Sequence, residues 1–194
     1  MRVAPILRLL RPHQWVKNAF VAAPLFFTPE AVNAGSIVLV FAGMVCFCAL
    51  SSGVYILNDY LDREADRQHP VKRHRPLAAG TVSVPTAMTL MVVLIVAGAG
   101  GAFVLDGRFG IVALGYNVLN IAYSTVLKRL SIVDVMVIAL GFVLRVYAGS
   151  ALIEVIPSVW IISCTMLLAL FIALAKRRDD LVKGLDNMHR ESLD

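Results

Sequence analysis

Long uncharged runs alternate with short, densely charged segments along the whole chain, and that alternation limits what it can fold into. Backbone placed in hydrocarbon must satisfy its own N–H and C=O groups, so apolar runs of about 20 residues become membrane helices. About six such runs are legible, at roughly 14–28, 35–57, 84–105, 109–127, 131–151 and 157–175. The expectation is an all-α, polytopic transmembrane helical bundle. The first run is short and carries Lys17, so it is expected to continue through an interfacial turn, with Trp15 and Lys17 at headgroup depth.

Charge distribution orients these spans. The N-terminal segment, the loop 58–83, the turn at Lys128-Arg129 and the tail from Lys176 hold nearly all the Lys and Arg. The opposite loops, near Glu30, Asp106 and Glu154, hold only Arg108. By the positive-inside rule both termini are expected on the cytosolic side. A net charge of +5 in a soluble protein would suggest nucleic acid. Here 59% of the residues are hydrophobic and mean hydropathy is +0.78, so the partner expected is the lipid bilayer, with no nucleic acid.

Smaller signals fit this frame. Cys46, Cys48 and Cys164 lie in apolar runs without zinc or disulfide spacing and read as small buried residues. No cleavable signal peptide is expected, because the stretch after Arg2, Arg8 and Arg11 lacks a small-residue cleavage site. Ser83 before Val84-Pro85 reads as an N-cap, and Pro157 as the start of the last span. Gly98, Gly100 and Gly101 form a small-residue patch where helices can approach.

The chemistry concentrates where the second span meets the cytosol. Asn58, Asp62 and Asp66 recur every fourth residue and share one helix face, with Asp59 close beside Asp62. Mg²⁺ takes oxygen ligands, commonly one or two carboxylates together with substrate phosphates. Carboxylates alone repel a diphosphate, so a bridging cation is physically required. The plain alternative is a solvated acidic helix end, although acids there oppose the helix dipole. Lys72, Arg73 and Arg75 follow in the segment His69 to Gly80. They suit phosphate oxygens left free by a metal, or serve as a positive-inside loop.

At these residues the chain resembles the UbiA superfamily of intramembrane prenyltransferases, whose first signature is NDxxDxxxD. Asn58, Asp59, Asp62 and Asp66 match it position for position. Further matches resemble its decaprenyl-phosphate phosphoribosyltransferase branch. They are Arg11-Pro12-His-Gln14-Trp15-Val-Lys17-Asn18, His69-Pro-x-Lys72-Arg73-x-Arg75-Pro76 and Tyr123-Ser124-x-x-Leu-Lys128. Asp134, Gly141-Phe142-x-Leu-Arg145 and Ala175-Lys176-Arg177-Arg178 complete the set.

The resemblance implies Mg²⁺-dependent transfer of 5-phosphoribose from phosphoribosyl diphosphate to a polyprenyl phosphate such as decaprenyl phosphate, feeding cell-wall glycan synthesis. The alternatives are polyprenyl transfer to an aromatic or other small acceptor, and a truncated, non-catalytic membrane subunit. It implies catalytic roles for Asp59, Asp62, Asp66, Lys128 and Arg145, and a metal set of Asn58, Asp62, Asp66 and Asp180. Substrate phosphates would fall to Lys17, Asn18, Lys72, Arg73, Arg75, Tyr123, Asp134, Lys176 and Arg177. The location implied is a bacterial inner membrane, with the site facing the cytosol.

Several of these residues carry a second reading. Arg145 lies within a span, where a charge is costly and usually faces the bundle interior or an aqueous cavity; the alternative is snorkelling to the outer interface near Glu154. Asp134, eleven residues earlier, returns to nearly the same face about 16 Å away, too far for a direct ion pair. Lys17 and Asn18 either reach a phosphate or anchor the first helix. Lys128 and Arg129, like the run Lys176 to Asp180, either bind phosphate and metal or mark topology. Asn117, Asn120 and Tyr123 give the fourth span a partly polar face, for a cavity or for helix pairing.

The superfamily generally has about nine helices around a central cavity. The expectation is therefore one domain, residues 1–194, shortened from nine and lacking about three C-terminal helices. A further subunit or self-association would then complete it.

Overall fold

In the computed structural model residues 3–127 and 131–191 are described, with side chains described except at 3, 131, 180, 181 and 183–191. Every regular element among them is helical, and no strand occurs among the described residues. Helix α1 (Val3–Leu10) leads into a 3₁₀ segment (Pro12–Ala22) and a short α2 (Ala23–Phe27). Then come α3 (Ala34–Leu61), α4 (Arg63–Gln68), α5 (Val84–Leu105), α6 (Gly107–Thr125), α7 (Ser131–Leu152) and α8 (Val159–Glu191).

Four stretches, Ala34–Leu61, Val84–Leu105, Ile132–Leu152 and Val159–Asp179, are long and apolar enough to cross a membrane. With the 19-residue α6 packed between α5 and α7, they form an all-helical membrane bundle. Large side chains such as Phe41, Val96, Val104, Ile111 and Phe171 point outward, as a bundle in lipid requires. The inner faces meet around Phe47, Leu50, Phe109 and Tyr116.

Helix boundaries follow local chemistry. Asn33 starts α3 with a capping box, its side chain accepting from the Ser36 N–H while the Ser36 hydroxyl accepts from the Asn33 N–H. Ser83 caps α5 as the sequence predicts, accepting from the Thr86 N–H with Pro85 in the first turn. Pro157 stands two residues outside α8 rather than within it. The α3–α5 seam is tight at Gly98, where an added Cβ would meet Leu50 Cγ at 2.9 Å and the Cys46 carbonyl at 3.1 Å.

The first run, expected to be short and to continue through an interfacial turn, is largely 3₁₀ structure followed by the short α2. Arg11 adopts a left-handed conformation (φ 53) that ends α1, and Pro12 opens eleven residues of 3₁₀ structure. Such runs usually stop after three or four residues, because side chains three apart eclipse. Here the eclipsed row is the packing solution. Asn18, Val21 and Pro24 are buried in register, and Trp15 donates from Nε1 to Ser52 Oγ at 3.0 Å. The row lies between α3 and α7, where Gly149 admits the Val21 carbonyl.

Candidate active site

A cavity of about 330 Å³ opens between the 3₁₀ segment, α3, α6, α7 and the polar part of α8. Among the described residues its wall carries Arg11, Lys17, Arg75, Arg145 and Lys176 but a single carboxylate, Asp62. Low-dielectric walls strengthen and focus that field. Such a wall suits an anionic guest.

Asn58 and Asp62 project into it from the end of α3, one turn apart. The expected continuous stripe is interrupted. The α3 helix ends at Leu61, Asp62 takes φ −92 and ψ 1, and α4 restarts at Arg63. The four-residue step survives the break, since the Asp66 N–H donates to the Asp62 carbonyl at 2.8 Å. The carboxylates nonetheless divide between two environments.

Asp59 and Asp66, both almost wholly buried, turn toward arginines rather than into the cavity. Asp59 pairs with Arg11, and Arg75 lies 3.3 Å from Asp59 and 2.7 Å from Asp66. The Arg11 guanidinium also sits over the Tyr55 ring, 5.4 Å from its centroid. Half of the acidic motif therefore holds two arginines at the cavity rim. Glu64 faces solvent outside the site, and the hydrogen bond from Arg63 draws its carboxyl below the usual range.

Replacing Asp66 by Asn leaves Arg75 with Asp59 alone. Removing one partner of a fully buried pair costs about 3–5 kcal/mol. Arg75 is partly exposed, so a loss of roughly 1–3 kcal/mol is expected. Denaturant unfolding should show Asp66→Asn and Arg75→Gln together costing less than the sum of the two singles. Strict additivity would show that the pair contributes nothing.

Arg145 lies at the inner end of the cavity, 5% exposed. Its Nε donates to Asn18 Oδ1 at 2.9 Å, one terminal nitrogen to the Gly141 carbonyl at 2.9 Å, and the other to the Tyr116 hydroxyl at 2.8 Å. The guanidinium stacks over the Tyr116 ring at 4.6 Å. Arg145 thus faces the bundle interior and does not snorkel toward Glu154. Asn18 is buried completely, and its amide nitrogen also reaches Ser51 Oγ at 3.3 Å and Cys48 Sγ at 3.2 Å.

Near the mouth, the Tyr123 hydroxyl, on the cavity wall, donates to Asp134 Oδ1 at 2.5 Å. Arg177 lies 3.8 Å from the same carboxylate, so α6, α7 and α8 converge there. Lys176, one residue earlier, lines the cavity. Lys72 and Arg73 are exposed on a 3₁₀ turn away from the cavity wall, whereas Arg75 reaches it. Lys128, and the side chain of Asp180, lie outside the described residues.

Sequence reasoning missed Tyr116 and Tyr55, and gave Arg11 and Gln14 no role in the site. Tyr116 had a signal, since it lies one turn before Asn120, whose side chain donates to its carbonyl at 2.7 Å. Asn117, read with that face, is instead buried off the cavity, its Oδ1 without a partner among the described residues.

As for a metal, no group of three His, Cys, Asp or Glu suited to one occurs among the described residues. Asn58 and Asp62 offer hard oxygen donors on the cavity wall, beside basic groups suited to phosphate. That donor set fits Mg²⁺, which tolerates few protein ligands when phosphates supply the rest.

Comparison with known proteins agrees with this geometry. The model of the UbiA prenyltransferase family matches residues 16–188. A decaprenyl-phosphate phosphoribosyltransferase of Mycobacterium tuberculosis is 36% identical over 92% of this chain and 61% of its own length. One from Corynebacterium glutamicum is 38% identical over 89% of this chain and 53% of its own. Among solved structures, a UbiA homolog from Archaeoglobus fulgidus bound to GPP and Mg²⁺ superposes with a TM-score of 0.73 at 27% identity, covering 86% of this chain and 60% of that one. The chain thus spans between 53% and 61% of the length of these relatives.

Proposed function

Because the chain belongs to the UbiA prenyltransferase family, we propose that it transfers 5-phosphoribose from phosphoribosyl diphosphate to a polyprenyl phosphate such as decaprenyl phosphate. The observation that carries this reading is the basic cavity in a membrane bundle, with Asn58 and Asp62 the oxygen donors at its mouth. The identity of the phosphoribosyltransferase relatives supports the choice of donor and acceptor. A soluble donor and a lipid acceptor suit a site at the cytosolic face of a bacterial inner membrane, with both termini on that side.

In the proposed reaction an oxygen of the lipid phosphate bonds to ribosyl C1 as the C1–O bond to diphosphate breaks, and the electron pair leaves with diphosphate. Mg²⁺, held by Asn58 and Asp62 with substrate phosphates, would neutralise charge on the departing group. Arg75 and Lys176, on the same cavity wall, would add preorganised positive charge to those oxygens. Asp59 and Asp66 act one step back, by fixing Arg11 and Arg75. Lys17 and Tyr123 complete the polar wall. Asp134 and Arg177 brace Tyr123, while Lys72 and Arg73 stand exposed on their 3₁₀ turn, off the cavity wall.

The test is incubation of membranes containing the protein with radiolabelled phosphoribosyl diphosphate and polyprenyl phosphate. Labelled lipid that needs Mg²⁺ is expected; its absence from well-folded protein would sink this reading. A second reading, polyprenyl transfer to a small acceptor, draws support from the GPP-bound homolog and predicts a labelled acceptor from a prenyl diphosphate instead. A non-catalytic subunit, the third reading, predicts no product from either donor.

A further inference from the structure

We infer that Arg145 forms a separate seat for a phosphomonoester, deeper in the membrane than the diphosphate site, and that Asn18 and Tyr116 are its positioning residues. The inference rests on the proposed reaction for the identity of its ligand; the geometry comes from this chain. Asn18 ties Arg145 to the level of Ser51 on α3. Asn58 lies seven residues further along that helix, about 10 Å nearer the mouth.

Charge requires an occupant. A buried guanidinium is costly without a counter-ion. Among the described residues, Arg145 meets only neutral groups: Asn18 Oδ1, the Gly141 carbonyl, the Tyr116 hydroxyl, and the Tyr116 and Phe142 rings. Those bonds use three N–H groups and fix the plane of the fork; the others remain for a ligand. At this depth the neighbouring wall is Ser51, Val54 and Phe142, with no carboxylate among the described residues to hold a metal, so the seat suits a metal-free phosphomonoester.

Asn18 therefore positions Arg145 instead of binding phosphate itself. Both ends of its amide are already used, and it is fully buried. Both substrates of the proposed reaction carry a phosphomonoester: the sugar 5-phosphate and the lipid phosphate. The seat separates that group from the departing diphosphate, so the reacting oxygens are not left to compete for one set of cations.

Purified full-length protein in zwitterionic nanodiscs would be titrated calorimetrically with ribose 5-phosphate, geranyl phosphate and magnesium pyrophosphate. Asn18→Asp keeps the size and the acceptor while cancelling the charge of Arg145. It is expected to weaken at least one phosphomonoester by about tenfold or more, with pyrophosphate within about twofold of wild type. Arg145→Gln should do the same, and decides the matter if Asn18→Asp does not yield folded protein. Loss for ribose 5-phosphate assigns the seat to the sugar, and loss for geranyl phosphate to the lipid.

The inference is overturned if neither phosphomonoester binds the wild type, if both bind the variants unchanged, or if pyrophosphate weakens in parallel. Binding is read without turnover. Seat binding without phosphoribosyl transfer would therefore defeat the proposed reaction alone, and transfer without seat binding would defeat this inference alone.

Discussion

Asp62→Ala is expected to lower phosphoribosyl transfer by roughly 10²–10³-fold, the range seen when one preorganised charge-stabilising group is removed from a site. Asp62 is the only carboxylate on the cavity wall among the described residues, against five basic groups. Without it Arg11, Arg75 and Lys176 would still attract the diphosphate of the proposed donor. Ground-state binding should therefore change far less than rate: kcat falls, while KM for the donor moves little. Asp62→Asn keeps the shape and an oxygen but not the charge, and should recover little activity.

Raising Mg²⁺ should partly restore either variant, because a weaker site saturates at higher metal. Transfer unchanged by Asp62→Ala would remove Asp62 from the reaction. A rise in KM with kcat intact would mean that Asp62 serves only substrate binding. The matching change at Asp66 should behave differently, acting on stability and on Arg75 more than on the metal response.

That difference marks the limit of what spacing can say. The recurrence of Asn58, Asp62 and Asp66 at every fourth position places their backbones at successive turns, and that much is local. Which carboxylate faces a cavity and which faces an arginine depends on Arg11 and Arg75, 48 residues upstream of Asp59 and 9 downstream of Asp66. The membrane helices were legible because lipid forces every apolar run to close its own hydrogen bonds. Arg145 was legible as an interior charge because a charged side chain is costly in lipid and turns to the bundle interior. Its partner Asn18, 127 residues away, was not, because nothing local distinguishes an anchoring asparagine from a ligand. The 3₁₀ row through Asn18 and Val21 repeats every third residue, a period masked by the apolar content of the segment.

The same row explains why a glycine far from the cavity mouth should matter as much as a charged residue. A Cβ at Gly149 would stand 1.8 Å from the Val21 carbonyl oxygen and 2.8 Å from its carbon. No rotamer relieves a contact with backbone, so Gly149→Ala must push the 3₁₀ segment off α7. Overpacking of this kind costs about 1–3 kcal/mol, and more where backbone must shift. Gly100 offers the control, since a Cβ there meets nothing within 4 Å and alanine favours the helix. In detergent-induced unfolding, Gly149→Ala should fall well below wild type while Gly100→Ala matches or exceeds it. Equal midpoints for the two would show that the close approach of Val21 is not a constraint. The displacement also carries Asn18, one 3₁₀ turn before Val21, away from Arg145. Misplacing a positioning group by about 1 Å can cost about 10²-fold in rate. Transfer by the folded fraction of Gly149→Ala should therefore drop further than its stability alone explains, and ribose 5-phosphate or geranyl phosphate should weaken before magnesium pyrophosphate does.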